Sequence, residues 1–210
     1  MKINFVIFFI FIFFLPYLVR AQDNFLNTYD HKKLEGQTLK VYSETGLVSL
    51  TALKPNIIKV SFLKSDALNN KDLIKGEEVF VRVTQNLDDI FMQTDSLLII
   101  ISKIDFSIKF EKSNEEIYVI NDFSMEKNSK RYFQFAVPKP LEMRIKINKR
   151  KITSDSLGFG VFFKGLKKTC FINPNNGMID VSLSVKKLDY LFVAGNSDSL
   201  KNASKYFFKN

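Results

Sequence analysis

The feature that most constrains this chain is an alternation of apolar and polar residues, which begins near Leu39 and recurs almost to the C-terminus. Clear examples are Ile58 to Phe62, Phe106 to Phe110 and Val181 to Val185. Because successive side chains of a β-strand point to opposite faces, a period of two predicts strands with one buried face. The run from Leu97 to Ile101 is continuously apolar and predicts a strand that is buried on both faces.

Turn-forming residues separate these predicted strands, as at Lys54-Pro55-Asn56 and at Asn173 to Gly177. One helix is predicted, from Asp198 to Phe208, with Leu200 and Ala203 on its apolar face and Ser197 or Asp198 as its N-terminal cap. Strands at short spacing without intervening helices predict an all-β fold. The expected architecture is an antiparallel β-sandwich that ends in a short C-terminal helix.

The N-terminus predicts export. Phe5 to Leu15 is an unbroken apolar run that follows Lys2, and small or modest side chains precede Gln22. This pattern is typical of a secretory signal peptide that is cleaved between Ala21 and Gln22. A bilayer-spanning helix requires about 20 apolar residues, which makes a membrane anchor the weaker alternative. We therefore expect a periplasmic or extracellular protein without a stable membrane anchor after cleavage.

Three segments are expected: a signal peptide over residues 1–21, a flexible N-terminal segment over residues 22–37, and a β-sandwich domain over residues 38–210. Cys170 is the only cysteine, so no intramolecular disulfide can form and the core alone must stabilise the fold. Its position in a predicted strand indicates a small buried side chain.

The chain is basic, with 31 Lys and Arg residues against 22 Asp and Glu residues and a formal net charge of +9. A basic surface can attract nucleic acid, acidic glycans or anionic lipid. The lysines are scattered along the sequence and form no block, which favours a general surface charge. We expect no nucleic-acid partner, and we keep an acidic polymer as an alternative partner.

Three motifs, in this order, resemble those of one enzyme family. Leu53 to Val60 (LKPNIIKV) is similar to a hairpin with a Pro-centred turn and an I-I-R-V strand, with Lys59 at the Arg position. Gly158 to Phe163 (GFGVFF) is similar to a G-Y-G-V-F-F strand, and Leu188 to Gly195 (LDYLFVAG) to an L-D-Y-Y-F-I-x-G strand. They resemble the N-terminal β-sandwich of family 31 glycoside hydrolases, the α-glucosidase and α-xylosidase family, over most of residues 38–208.

The resemblance implies a galactose-mutarotase-like supersandwich without the catalytic barrel that normally follows it. Retaining hydrolysis requires two converging carboxyl groups, and in the family both lie on the barrel. Acidic neighbours such as Glu77-Glu78 and Asp88-Asp89 point to opposite faces on a strand or to water on a turn. His31 is the only histidine and is expected to lie in the flexible segment. We expect no catalytic residue, no metal site and no cofactor.

The candidate carbohydrate-binding residues are Tyr132, Tyr118 and Arg131, because sugar binding requires exposed aromatic rings beside polar groups and the chain has no Trp. Tyr190 is expected to be structural, with its hydroxyl bonded to a nearby loop. The sequence thus predicts a non-catalytic module with a carbohydrate-binding or scaffold role, whose partners are α-linked glycans. The alternatives are a subunit or fragment that works with a separate glycosidase barrel, and a surface protein that binds an acidic polymer.

Overall fold

A computed structural model describes residues 28–64, 77–112, 115–125, 131–136, 145–148, 151–154, 158–163, 168–173, 178–183 and 187–208. Within these ranges the chain forms two antiparallel sheets of eight strands each and one helix, α1 (Ser197–Phe208). None of the described helical residues forms a helix that is long and apolar enough to cross a bilayer.

The strands of each sheet are given from edge to edge. Sheet 1 contains β1 (Tyr29–Glu35), β2 (Thr38–Ser43), β3 (Gly46–Lys54), β4 (Ile57–Lys64), β16 (Lys187–Ala194), β13 (Phe159–Phe163), β12 (Lys151–Ser154) and β11 (Ile145–Asn148). Sheet 2 contains β14 (Lys168–Asn173), β15 (Met178–Leu183), β10 (Arg131–Ala136), β9 (Glu115–Met125), β8 (Ile108–Lys112), β7 (Leu98–Ser102), β6 (Asp89–Gln93) and β5 (Arg82–Gln85).

The two sheets pack face to face around one apolar core. Alternate residues of the strands point inward and form a single cluster that draws on both sheets. The contact between layers is direct: the rings of Phe110 in sheet 2 and Phe192 in sheet 1 stack with centroids 3.8 Å apart. This arrangement confirms the predicted antiparallel β-sandwich, because the period of two supplies each sheet with one apolar face to bury.

Strand β7 differs from its prediction. Ile99 and Ile101 are fully buried in the core, whereas Leu98 and Ile100 are only half-buried on the outer face of sheet 2. The predicted burial of both faces is therefore wrong. Burial of both faces requires a second layer over the sheet, and among the described residues no element covers this one. On the neighbouring strand β6, Phe91 pairs with Ile100.

The N-terminal boundary of the domain is also corrected. Tyr29–Glu35 forms edge strand β1, paired with β2, although residues 22–37 were predicted to be flexible. The strand lacks an apolar alternation because it lies at an edge, where charged side chains protect unpaired backbone groups from other chains. Residues 1–27, which include the predicted signal peptide and its cleavage position, lie outside the described residues.

Helix α1 covers part of the outer face of sheet 1. Its buried Leu200 and Ala203 pack on an apolar group formed by Leu53, Phe162, Leu191 and Val193. The predicted helix and its apolar face are therefore confirmed. The predicted caps are wrong: the helix begins at Ser197, so the cap is the preceding residue, Asn196, whose Oδ1 accepts a hydrogen bond from Ser199 N at 3.0 Å.

The close approach of α1 to the sheet depends on Gly160 in β13. A Cβ atom at this position would lie 2.8 Å from Leu200 Cδ2, well inside normal contact. A glycine in the strand is therefore what permits this close approach. Gly158, at φ 64°, supplies the left-handed residue before the strand.

Candidate functional site

The solvent-facing side chains of β1 and β2 combine aromatic rings and charges at one edge of sheet 1. Leu39 and Val41 point into the core, so the alternate residues of β2 face outward. We call the resulting group the β1–β2 patch, which consists of Asp30, His31, Lys33, Glu35, Lys40 and Tyr42.

Two stacked rings form the centre of the patch. The imidazole of His31 lies parallel to the Tyr42 ring, with centroids 4.3 Å apart and an interplanar angle of 10°. His31 Nδ1 is 2.9 Å from Asp30 Oδ2, which fixes the orientation of the imidazole. The His31 side chain remains 56% exposed, so the ring face away from Tyr42 is open to a ligand.

An ion-pair network lies beside these rings. The Glu35 carboxylate accepts hydrogen bonds from Lys40 and from Lys33, the latter at 2.9 Å between Nζ and Oε1. These contacts, led by the Lys40 hydrogen bond, lower the pKa of Glu35 to about 2, and Glu35 in turn raises the pKa of Lys33. The three side chains are largely open to solvent, so the network orders them more than it stabilises the fold.

The outer face of sheet 1 stays polar between the patch and helix α1. The hydroxyls of Thr38 and Thr51 are 3.0 Å apart, and Lys59 and Ser61 are buried on the same face of β4. This strip of hydroxyl and ammonium groups contrasts with the apolar surface under α1. Because Lys59 and Ser61 are each only 7% exposed, neither side chain is open to a ligand beside the patch.

The residues predicted to bind carbohydrate lie in sheet 2. The backbone register places Tyr118 of β9 opposite Phe110, and Tyr132 of β10 opposite Ser124. Six residues of β9 separate positions 118 and 124, so the two tyrosine positions are roughly 20 Å apart at 3.3 Å per residue. Arg131 precedes Tyr132 in the strand. The backbone therefore places position 118 apart from positions 131 and 132, and the role of these three residues in binding stays a prediction.

His31 corrects the sequence interpretation in a second respect. It was assigned to a flexible segment, yet it belongs to β1 and stacks on Tyr42. The partnership was not visible in the sequence because the two residues meet only across the β1–β2 pair. A tyrosine at an outward position of β2, opposite a neighbouring strand, is the signal that could have indicated it.

Several described acidic side chains have structural partners. Glu77 forms an ion pair with Lys54 at 2.6 Å, and Asp105 Oδ1 accepts the backbone N–H of Ser107 at 3.0 Å. Within the described side chains, no three His, Cys, Asp or Glu residues group together as potential metal ligands.

Tyr190 departs from its prediction. Its ring is fully buried between Phe62 and Phe163, with centroid distances of 6.4 and 6.1 Å. Its hydroxyl has no hydrogen-bond partner in the described structure, so the predicted bond to a nearby loop is wrong. Burial raises the pKa of this phenol well above 10. The strand alternation directs Tyr190 into the interior, where the phenol is surrounded by apolar rings.

The arrangement defines a class of protein: a supersandwich in which two eight-stranded antiparallel sheets enclose one core. Neither a protein-family model nor a curated protein sequence matches the chain. Solved structures with a similar fold exist, however, and they include a dextranase, an α-xylosidase and a cycloalternan-forming enzyme.

Three of these structures illustrate the likeness. A GH31 dextranase from Flavobacterium johnsoniae, complexed with isomaltotriose, has a TM-score of 0.66 at 13% identity over 83% of this chain and 27% of its own. The cycloalternan-forming enzyme from Listeria monocytogenes, complexed with a pentasaccharide substrate, has a TM-score of 0.63 at 9% identity over 87% and 22%. A GH31 α-xylosidase from a soil metagenome, complexed with xylose, has a TM-score of 0.56 at 12% identity over 79% and 32%.

At these identities the likeness is one of fold, and the chain spans about a quarter of the length of the enzymes it matches. The resemblance to family 31 glycoside hydrolases is thereby confirmed at the level of the fold. The partial match is consistent with their N-terminal β-sandwich without the barrel.

Proposed function

We propose that this protein is an exported, non-catalytic β-sandwich that binds α-linked oligosaccharides of glucose or xylose and serves glycan metabolism. The observation that carries the proposal is the shared fold with enzymes solved with isomaltotriose, a pentasaccharide substrate and xylose. We further propose that it acts in the periplasm or outside the cell, after cleavage between Ala21 and Gln22.

The β1–β2 patch has the chemistry that a sugar requires. A pyranose ring presents apolar C–H groups on its faces and hydroxyl groups at its rim, so it matches an aromatic surface with polar side chains around it. The open face of His31, supported by Tyr42, provides the surface, and Asp30, Glu35 and Lys33 provide acceptors and donors. Because ion pairs already hold these side chains, less conformational entropy is lost on binding.

The proposed non-catalytic role agrees with the state of Glu35. Glycoside hydrolysis requires a carboxylic acid that is protonated near neutral pH, and its partner carboxylate must lie within about 5–10 Å. With a pKa of about 2, Glu35 stays ionised at neutral pH and cannot act as a general acid. Glu77 is occupied by its ion pair with Lys54.

Isothermal titration calorimetry tests the proposal. The protein is expressed with its own N-terminal segment, and its intact mass is measured to determine whether residues 1–21 are removed. We expect binding of isomaltotriose or α-linked xylose oligosaccharides, with β-linked cellotriose as the matched control. Loss of a ring contact is worth up to about 1.5 kcal/mol, so H31A should weaken binding by up to roughly tenfold.

The variants Y132A and Y118A locate the site. If H31A weakens binding and the two tyrosine variants do not, the β1–β2 patch is the sugar site. If Y132A abolishes binding and H31A has no effect, the site lies on sheet 2, as the sequence predicts. A folded protein that binds none of these oligosaccharides would overturn the proposal and favour a scaffold role beside a separate glycosidase barrel.

A further inference from the structure

Strand β5 is the last strand of sheet 2, and among the described strands only β6 pairs with it. The β5–β6 ladder has no register shift. In the turn that joins the two strands, Asn86 N donates a hydrogen bond to Asp89 O at 3.0 Å, so these two residues form a hydrogen-bonded pair. Hydrogen-bonded and non-hydrogen-bonded pairs alternate along an antiparallel ladder, and the backbone groups of successive β5 residues therefore point to opposite sides.

This alternation determines which backbone groups face the open edge of the sheet. Counting back from the turn, Thr84 and Arg82 exchange their hydrogen bonds with β6. The N–H and C=O groups of Gln85 and Val83 consequently point away from β6. Val81, whose side chain packs against the core as that of Val83 does, continues the same order. A row of outward donors and acceptors in an extended chain is what a further β-strand recognises.

The two edge strands whose side chains are described differ in their protection. Strand β1 consists largely of charged residues, and its register with β2 shifts between Tyr29 and Lys32. Charged side chains and bulges both hinder the pairing of an edge with another strand. Strand β5 has no bulge and no proline, and Arg82 is its only charged residue. Directly before it, the Phe80 side chain is 76% exposed, so an aromatic ring also lies open beside this edge.

We propose that the protein forms a weak dimer in which β5 pairs in antiparallel register with β5 of a second copy. The extended stretch is residues 81–85, because the turn begins at Asn86, and its central residue is Val83. A two-fold axis at Val83 places this residue opposite Val83 of the second copy, and Val81 opposite Gln85. All the outward N–H and C=O groups of these three residues are then hydrogen-bonded, and sheet 2 continues across the axis.

The side chains fit this register as well. Arg82 comes to lie opposite Thr84 of the second copy, so no like charges are directly opposed. The two Val83 side chains meet on the inner face, where each is only half-buried in the single molecule. Phe80 comes to lie beside Asn86 of the second copy. The stretch thus complements itself in hydrogen bonding, charge and apolar contact, which makes a second copy the occupant of this edge.

The proposed interface is short. Residues 81–85 form it, and they are far fewer than the roughly 20–30 residues on each side of a standard stable interface. Dimerisation is therefore expected only at high protein concentration. It does not depend on the proposed sugar binding, since no residue of the β1–β2 patch takes part in the strand pairing.

Sedimentation velocity over a range of protein concentrations tests the inference. The full protein, as expressed and processed, should sediment as a monomer when dilute and increasingly as a dimer towards about 1 mM. A protein that remains a monomer throughout would overturn the proposal and leave this edge to a strand of a different protein. Association into species larger than a dimer would also overturn it, because two-fold pairing of one edge is closed.

Disulfide cross-linking tests the register. Cys170 is the only cysteine, so V83C and T84C are each made in a C170S background and oxidised mildly. Residues of a hydrogen-bonded antiparallel pair have Cα atoms about 5.5 Å apart, which a disulfide can bridge. The two copies of residue 84 are diagonal neighbours, roughly 8 Å apart, which is too far. We expect covalent dimers of V83C alone. Absence of cross-linking in V83C, or equal cross-linking in T84C, would refute the register.

Proline at position 83 removes an outward donor and no hydrogen bond to β6, because Val83 N–H points away from that strand. V83P should therefore weaken dimerisation by about tenfold or more, since two intermolecular hydrogen bonds are lost. The control V83T keeps the donor and the branched shape of the side chain and should dimerise like the wild type. Far-ultraviolet circular dichroism establishes that both variants are folded. Unchanged dimerisation of V83P would exclude pairing through β5.

Substitutions of Thr84 test the pairing by charge and leave the backbone intact. T84K places a lysine opposite Arg82 of the second copy and should weaken dimerisation by roughly threefold to tenfold, whereas T84E should strengthen it by a similar factor. The matched controls N202K and N202E carry the same charges on the exposed side of α1 and should have little effect. Similar effects of the Thr84 and Asn202 variants would indicate a general charge effect and contradict the contact between Arg82 and Thr84.

Discussion

Replacing Tyr190 by phenylalanine should stabilise the protein. The phenol hydroxyl is buried and has no hydrogen-bond partner in the described structure, and such an unpaired group costs about 1–3 kcal/mol. Phenylalanine keeps the ring between Phe62 and Phe163 and removes only the oxygen. The small void that remains offsets part of the gain. We therefore expect a net stabilisation of about 1 kcal/mol, or a Tm about 2–4 °C higher for a domain of this size.

Urea unfolding of wild type and Y190F, followed by circular dichroism at pH 7, measures this difference. The control is Y42F, which removes the half-exposed hydroxyl of Tyr42 and should change stability by less than about 0.5 kcal/mol. If Y190F were destabilised by more than about 1 kcal/mol, the hydroxyl would have a native partner. The interpretation of Tyr190 as an unpaired group would then be wrong.

The Y190F substitution should also change how the stability of the protein depends on pH in alkaline solution. Because burial raises the pKa of Tyr190 in the folded protein, the unfolded chain loses its proton first as the pH rises through 10. The folded state is therefore destabilised progressively above pH 10. The stability advantage of Y190F over the wild type should grow above this pH, and an advantage that stays constant would contradict the assigned cause.

Three further predictions concern other contacts. The stability that Glu35 adds relative to E35Q should be complete above pH 4.5 and should disappear as the pH falls towards 2, because the pKa of Glu35 in the folded protein lies below its ordinary value. Thermal melts across this pH range should show the Tm values of the two proteins converge. T94V should lower the free energy of unfolding, measured in urea, by about 1–3 kcal/mol, because Pro55 O and the Leu97 N–H lose their hydrogen bonds to the hydroxyl. The control T84V, on edge strand β5, should leave the free energy of unfolding nearly unchanged. L200A should cost about 2–5 kcal/mol by removing the contact between α1 and sheet 1, whereas K201A, on the exposed side of the helix, should change stability little.

Much of the core could be predicted from the sequence, because strand alternation is a local property. Ile58 and Phe62 are buried in the positions that their period assigns, and the same holds for Phe106 and Phe110. The prediction failed where burial depends on what lies outside the strand. Ile100 was assigned to a buried face that no described element covers.

Strand β1 shows the opposite error, because it was predicted to be flexible and is a strand. Residues 29–35 have almost no apolar period, because an edge strand packs only Tyr29 against the core and exposes charged residues elsewhere. A hydrophobic pattern cannot reveal a strand that buries so little. The β1–β2 patch was therefore missed, since its two rings belong to different strands and meet only when the pair forms.

The fold class, the C-terminal helix and the likeness to the β-sandwich of family 31 glycoside hydrolases follow from the sequence alone, because periodicity and short motifs are local in the chain. The tertiary structure decided which side chains meet: His31 with Tyr42, and Gly160 with Leu200. Residues that are far apart in the sequence become neighbours because antiparallel strands return the chain to the same end of a sheet at every second turn.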